Sequence, residues 1–195
     1  MIAYTAGVGD YPPRLDGRRF GDDGIFKRPV MEAKRYKLLP HLFFPHEDVT
    51  VWVDANITLN ADVREVVEAL LGAADIAVCK HPYRDNVYDE FAALETDRRF
   101  AIPYLQSQMR QQRQTYIDEG LPKDAQLYEC NILVRRNNAR VARLMDAWWA
   151  QVCRWQWRDQ VSFPYVVWKY GGDVEIRAVT PNAREHPLFD YVSRY

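Results

Sequence analysis

Two kinds of apolar pattern alternate along the chain. Short runs rich in β-branched and aromatic residues fall at 1–5, 49–53, 75–79, 127–134 and 174–179, and each predicts a strand. Between them, apolar positions recur three and four apart. Val63, Val66, Val67, Leu70 and Leu71 predict a helix over 61–71, with Asn60 to cap it and Gly72 to end it. Val141, Leu144, Met145, Trp148 and Trp149 predict another over 138–153. Further helices are expected over 29–39 (opened by Pro29, stopped by Pro40), 87–97, 100–119 (ended by Gly120) and 159–170 (closed by Gly171 and Gly172). Residues 11–28 stay polar and glycine-containing and read as one long loop, a length that usually serves a function. The last 16 residues read as a tail.

Strands alternating with helices predict an α/β domain, and 195 residues suffice for a single domain spanning 1–195. In such sheets ligands bind where strands end on their carboxyl side. The net charge of −1 argues against a broad nucleic-acid surface. Three cysteines (Cys79, Cys130 and Cys153), with no Cys-x-x-Cys, argue against a disulfide framework or zinc site and suit a reducing cytoplasm. No signal peptide or membrane span is expected.

The residues after each strand are therefore the first candidates. Asp54 and Asn56 follow the strand at 49–53, and two apart in extended chain they point the same way. A carboxylate and an amide oxygen are hard ligands suited to Mg²⁺ or Mn²⁺, although capping a turn would use the same residues. Residues 54–58 also match the Asp-x-Asp-x-Thr pattern of haloacid-dehalogenase-like phosphohydrolases, except that Asn56 stands where the proton-donating Asp would be. Lys34, Lys37 and His41 share one helical face that could attract phosphates or could simply be solvated. Asp159, between Arg158 and Gln160, opens a helix and is a candidate general base. Glu129, beside Asn131, sits within an otherwise apolar strand, where a carboxylate is costly without a partner. His81 and Arg84 follow the strand at 75–79, and His186 in the tail is a candidate third metal ligand.

In order, Lys37-Leu38-Leu39-Pro40-His41, Phe44-Pro45, Val51-Trp52-Val53-Asp54, His81-Pro82-x-Arg84, Tyr88-x-Glu90, Glu129, Arg135 and Arg158-Asp159-Gln160-x-Ser162-Phe163 resemble the glycosyltransferase-like family long catalogued as domain of unknown function 616. That family includes plant proteins tied to cell-wall polysaccharides, and the match runs from about Tyr4 to Ile176. The resemblance implies a GT-A-type, Rossmann-like domain: a mixed, mostly parallel sheet with helices on both faces. It implies a nucleotide-sugar donor, first of all a UDP-sugar, and a hexose transferred to a hydroxyl acceptor. The loop holding Thr5, Ala6, Gly7 and Asp10 would bind base and ribose. Lys37, His41, Asp54, Arg84, Arg158 and Gln160 would face the donor, Glu129 and Asp159 the reacting sugar and acceptor. Mn²⁺ or Mg²⁺ would sit on Asp54, Asn56 and His186, with Asn56 weakening the site. The missing membrane anchor implies a bacterial or viral, cytoplasmic version. The acceptor would be a glycan or a hydroxymethylated base of viral DNA, whose phosphates Arg98, Arg99, Arg110 and Arg113 could meet. A non-catalytic nucleotide-sugar-binding module is the remaining expectation.

Overall fold

The computed structural model describes residues 1–8, 13–15 and 18–192. Six strands form one sheet in the order β2 (Arg18–Phe20), β1 (Ile2–Ala6), β3 (Val49–Val53), β6 (Tyr128–Arg136), β5 (Ile76–Lys80), β7 (Ile176–Val179). Only β6 runs against the others, so the sheet is mixed but mostly parallel. Side chains alternate between its faces, as the pleat requires. Tyr4, Trp52, Ile76 and Val78 enter one core, and Ala3, Val51, Val53 and Ala77 the other.

The first core is covered by α1 (Pro29–Leu38), α4 (Val87–Thr96), α5 (Pro103–Asp118), α6 (Ala139–Arg154) and α7 (Asp159–Tyr170). The second is covered by α3 (Val63–Leu70) and a small antiparallel pair, β4 (Ile57–Leu59) with β8 (Phe189–Tyr191). Helices thus pack on both faces, as expected.

Several local expectations are corrected. The expected loop over 11–28 contains β2, which pairs in parallel with β1. Pro40 does not merely stop a helix. It opens a short one, α2 (Pro40–Phe43), because a first-turn position needs no N–H. Asp62, not Asn60, caps α3 by accepting from the Glu65 N–H at 2.9 Å. Asn60 instead donates to the Pro187 carbonyl. The helix expected over 100–119 divides into a 3-10 turn at Arg98–Phe100 and α5, since Pro103 can begin a helix but not continue one. The tail is not structureless: β8 returns across the second face.

Two features position the cleft. The pairing of β5 with β6 slips between Val78, opposite Leu133, and Cys79, opposite Glu129, and such a bulge re-aims side chains. Arg135 is fully buried; its guanidinium donates to the Lys37 carbonyl at 2.7 Å and the Tyr4 hydroxyl at 2.6 Å. It ties the end of α1 to β1 and β6. Among the described residues, no helix is long and apolar enough to cross a membrane.

Candidate active site

A cleft of about 530 Å³ opens at the carboxyl edge of the sheet. Asp54 and Asn56 reach it from the end of β3, His81, Tyr83 and Arg84 from beyond β5, Glu129 and Asn131 from the start of β6, and Arg158, Asp159 and Gln160 from the start of α7. Lys34 and Lys37 enter from α1, Arg99 from the turn before α5, and Arg184 and Tyr191 from the tail.

Asp159 organises one wall. Its backbone carbonyl accepts from the Trp148 indole N–H and the Ser162 hydroxyl, which pins the helix start. Its carboxylate, almost wholly buried, meets Lys34 at 2.8 Å and Lys37 at 2.7 Å. Burial alone would raise its pKa, but the two ammonium groups outweigh burial and hold it far below the usual carboxylate range. Burial likewise pulls on Lys37, yet Asp159 and Asp54 together keep its proton affinity above normal. For Lys34 burial wins and the pKa is lowered. Asp54 is held by the Trp52 indole N–H at 2.7 Å, with Lys37 at 3.5 Å from the same oxygen.

Glu90 of α4 organises a second wall. Buried to 1% exposure, it binds Arg84 at 2.9 Å through one oxygen and Arg158 at 2.6 Å through the other. The His81 Nδ1 accepts from the Tyr83 and Arg84 N–H groups and shapes that loop, while burial depresses its pKa to about 4.

The third wall is polar and only half satisfied. Arg184 bonds one oxygen of Glu129 and also reaches the Tyr191 hydroxyl. Burial raises the Glu129 pKa against the pull of Arg184. Its second oxygen, Oε2, is buried with no hydrogen-bond partner among the described residues, as are both polar atoms of the Asn131 side chain. Gln160 donates to the Tyr128 carbonyl.

Of the residues expected in the site, Lys37, Asp54, Asn56, Arg84, Glu129, Arg158, Asp159 and Gln160 line this one cleft. Others do not. Thr5 and Ala6 are buried in β1, and the Gly7 N–H bonds the Phe20 carbonyl. None of the three is among the cleft-lining residues. Asp10 lies outside the described residues. His41 bonds Asp146 at 3.1 Å, away from the lining. His186 accepts from the Leu188 N–H and packs on Phe189, so it does not join Asp54. Of the four arginines expected to meet DNA phosphates, Arg99 lines the cleft, and Arg98, Arg110 and Arg113 are not among its lining residues.

The donor set fits a divalent cation poorly. Asn56 has its amide N–H tied to the Val192 carbonyl, and Lys37 already neutralises Asp54. Among the described residues no three His, Cys, Asp or Glu could hold a metal ion. Sequence reading missed Arg184 and Tyr191, which sit in the tail, and the bracing role of Glu90, signalled only by its place in the Tyr88-x-Glu90 motif.

The sequence profile of the TOD1/MUCI70 glycosyltransferase-like domain matches residues 22–185. The chain is 25% identical over 154 residues to alkaline ceramidase TOD1 of Arabidopsis thaliana, covering 74% of this chain and 33% of that protein. It is 30% identical over 166 residues to probable hexosyltransferase MUCI70 of the same plant, covering 79% of this chain and 26% of that protein. The chain therefore spans about a quarter to a third of the length of these relatives. A solved glycosyltransferase involved in glycosylation of the major capsid of PBCV-1 aligns with a TM-score of 0.47 at 7% identity, over 91% of this chain and 82% of that one. With the profile covering most of its length, the chain belongs to the TOD1/MUCI70 glycosyltransferase-like domain family, the family its ordered motifs resemble.

Proposed function

We propose that this chain transfers a hexose from a nucleotide-sugar donor, a UDP-sugar first of all, to a hydroxyl acceptor. The observation that carries the reading is a cleft whose cations are fixed in advance by buried carboxylates: Lys34 and Lys37 on Asp159, Arg84 and Arg158 on Glu90. Cations held in place before the reaction stabilise charge as it develops, without reorganisation. In the transfer, the bond from the anomeric carbon to the diphosphate oxygen breaks and its electron pair stays with the diphosphate. The acceptor oxygen bonds to the anomeric carbon and its proton leaves to a base. Lys37, Arg84 and Arg158 would meet the developing charge on the leaving group.

Of the two carboxylates expected to be catalytic, Asp159 is too firmly ionised to be an effective base, and its part is to hold the lysines. Glu129, with higher proton affinity and a free oxygen, is left to meet a sugar hydroxyl. Of the residues expected to hold Mn²⁺ or Mg²⁺, Asp54 and Asn56 reach the cleft and His186 does not, and Lys37 stands 3.5 Å from Asp54, so the charge of the leaving group is assigned to the lysine and the arginines. The phosphohydrolase reading loses ground, since Asn56 is engaged with Val192 and cannot supply a proton.

Labelled UDP-hexoses test the reading. Asp54→Ala, at a side chain 37% exposed, should keep its fold yet lose donor hydrolysis and transfer. Turnover at the wild-type rate in that variant refutes the assignment. Donor binding by the wild type without turnover would make the chain a binding module instead. Steep salt dependence of acceptor binding would turn the acceptor toward DNA.

A further inference from the structure

Buried polar groups in proteins almost always have partners, so a cluster that lacks them calls for a ligand. Asn131 is about nine-tenths buried and lines the cleft, yet neither its amide oxygen nor its amide nitrogen has a well-formed hydrogen bond among the described residues. It stands close enough to Glu129 to steady that carboxylate, but without hydrogen-bond geometry. Beside it, Glu129 Oε2 is equally unpartnered. The pair therefore presents one free donor and two free acceptors, side by side, inside the cleft.

We infer that Asn131 and Glu129 form a subsite for two neighbouring hydroxyls of a sugar ring. A hydroxyl both donates and accepts, and so can use both ends of the amide as well as the carboxylate oxygen. A cation fits less well: Arg184 already neutralises Glu129, Lys37 stands by Asp54, and the amide N–H has nothing to offer a cation. The flanking wall suits a sugar too. Arg184 lies between the Tyr191 ring, 4.5 Å from its centroid, and that of Tyr83, at 5.8 Å. Tyr83 is 74% exposed at the cleft mouth and offers an aromatic face to an apolar ring face. The inference rests on the transfer reading above. The ring can be that of the donor hexose or of an acceptor sugar, since both present the same diol.

Asn131→Leu tests it with four ligands: UDP, UDP-glucose, methyl glucoside in the presence of UDP, and Mn²⁺. UDP affinity should be unchanged, because the diphosphate cations are untouched. Affinity for UDP-glucose or for methyl glucoside should fall tenfold or more. Loss in the first arm assigns the diol to the donor, and loss in the second to an acceptor. Without ligand, the variant should melt about 2–6 °C higher, because an unpaired amide is replaced by an apolar group of similar shape. Unchanged affinity for both sugar ligands, or a lower melting temperature, overturns the subsite. Tight Mn²⁺ binding that the variant abolishes overturns it in favour of a cation. Failure of the wild type to bind UDP or UDP-glucose overturns the transfer reading alone, and methyl glucoside and the melting shift then decide the subsite.

Discussion

Asp159→Asn gives the sharpest test of how the cleft is held together. Asn keeps the shape of the side chain and removes only its charge. Two ammonium groups then remain against it, Lys37 2% exposed and Lys34 16% exposed. Removing one member of a buried ion pair typically costs about 3–5 kcal/mol, because the remaining charge stays desolvated. Asp54, 3.5 Å from Lys37, relieves part of this, so the lower half of that range applies. In a chain of this length each kcal/mol lowers Tm by about 2–4 °C, so a fall of roughly 6–16 °C is expected. The pH dependence separates this cause from a packing defect. Lys34 already has a lowered pKa, and loss of Asp159 lowers it further. Folded Lys34 then gives up its proton at a pH where the unfolded chain still holds one. Stability rises with pH wherever the unfolded state binds more protons, so the variant should regain stability as pH rises toward about 10. The wild type should gain less there. Its Asp159, with a depressed pKa, contributes fully above about pH 4 and loses that contribution as pH falls further. Calorimetric melts from pH 2 to 10 measure both. A variant with wild-type Tm, or a deficit that stays flat with pH, would refute the claim that Asp159 balances two buried lysine charges.

Two other outcomes follow from the same structure. Glu90→Gln should release Arg84 and Arg158, which are partly solvated, so Tm should fall by only a few degrees while turnover of a UDP-hexose drops at least tenfold and UDP affinity, by isothermal titration, does not fall with it; unchanged turnover means these arginines do not meet the leaving group. His81 should stay neutral in NMR titrations down to about pH 5, and its burial should make stability rise between about pH 4 and 6.5, since the unfolded chain binds a proton that the folded chain refuses; a ring that titrates near 6.5 contradicts this.

The main strands and helices could be read because apolar spacing alone distinguishes periods of two and 3.6. β2, β4 and β8 could not be read that way. Each is three residues long, too short for a period to show, and each is held by pairing with another strand. Much of the cleft was also readable, because residues after strands converge by topology. Asp54 and Arg84 were found on that ground, Glu129 as a carboxylate within an apolar strand, and Asp159 as the residue opening a helix. What failed was assigning partners. Glu90 bonds Arg158 from 68 positions away and Arg184 bonds Glu129 from 55 away, and no local pattern encodes such distances. His41 was expected in the site from its helical face and His186 from its place after the last strand; the first bonds Asp146, 105 positions away, and the second accepts from the Leu188 N–H of its own turn.

The way the charges are paired constrains how the donor can bind. Lys34 and Lys37 share Asp159, Arg84 and Arg158 share Glu90, and Arg184 is matched by Glu129. Five cations thus face these three carboxylates, with Asp54 a fourth beside Lys37, so the cleft keeps a small positive charge before a ligand enters while the carboxylates offset most of the repulsion among its cations. A diphosphate must then share these cations with carboxylates that remain in place. Sharing weakens binding of the ground state, but the cations gain nothing by moving, so their contribution grows as charge accumulates on the leaving group. That is the condition under which binding energy appears in the rate rather than in affinity. The unpaired atoms of Asn131 and Glu129 sit on the opposite terms: nothing among the described residues satisfies them, so a sugar that does so gains affinity outright. On the proposed reading, recognition of the sugar and stabilisation of the departing diphosphate would then fall to different strands and helices.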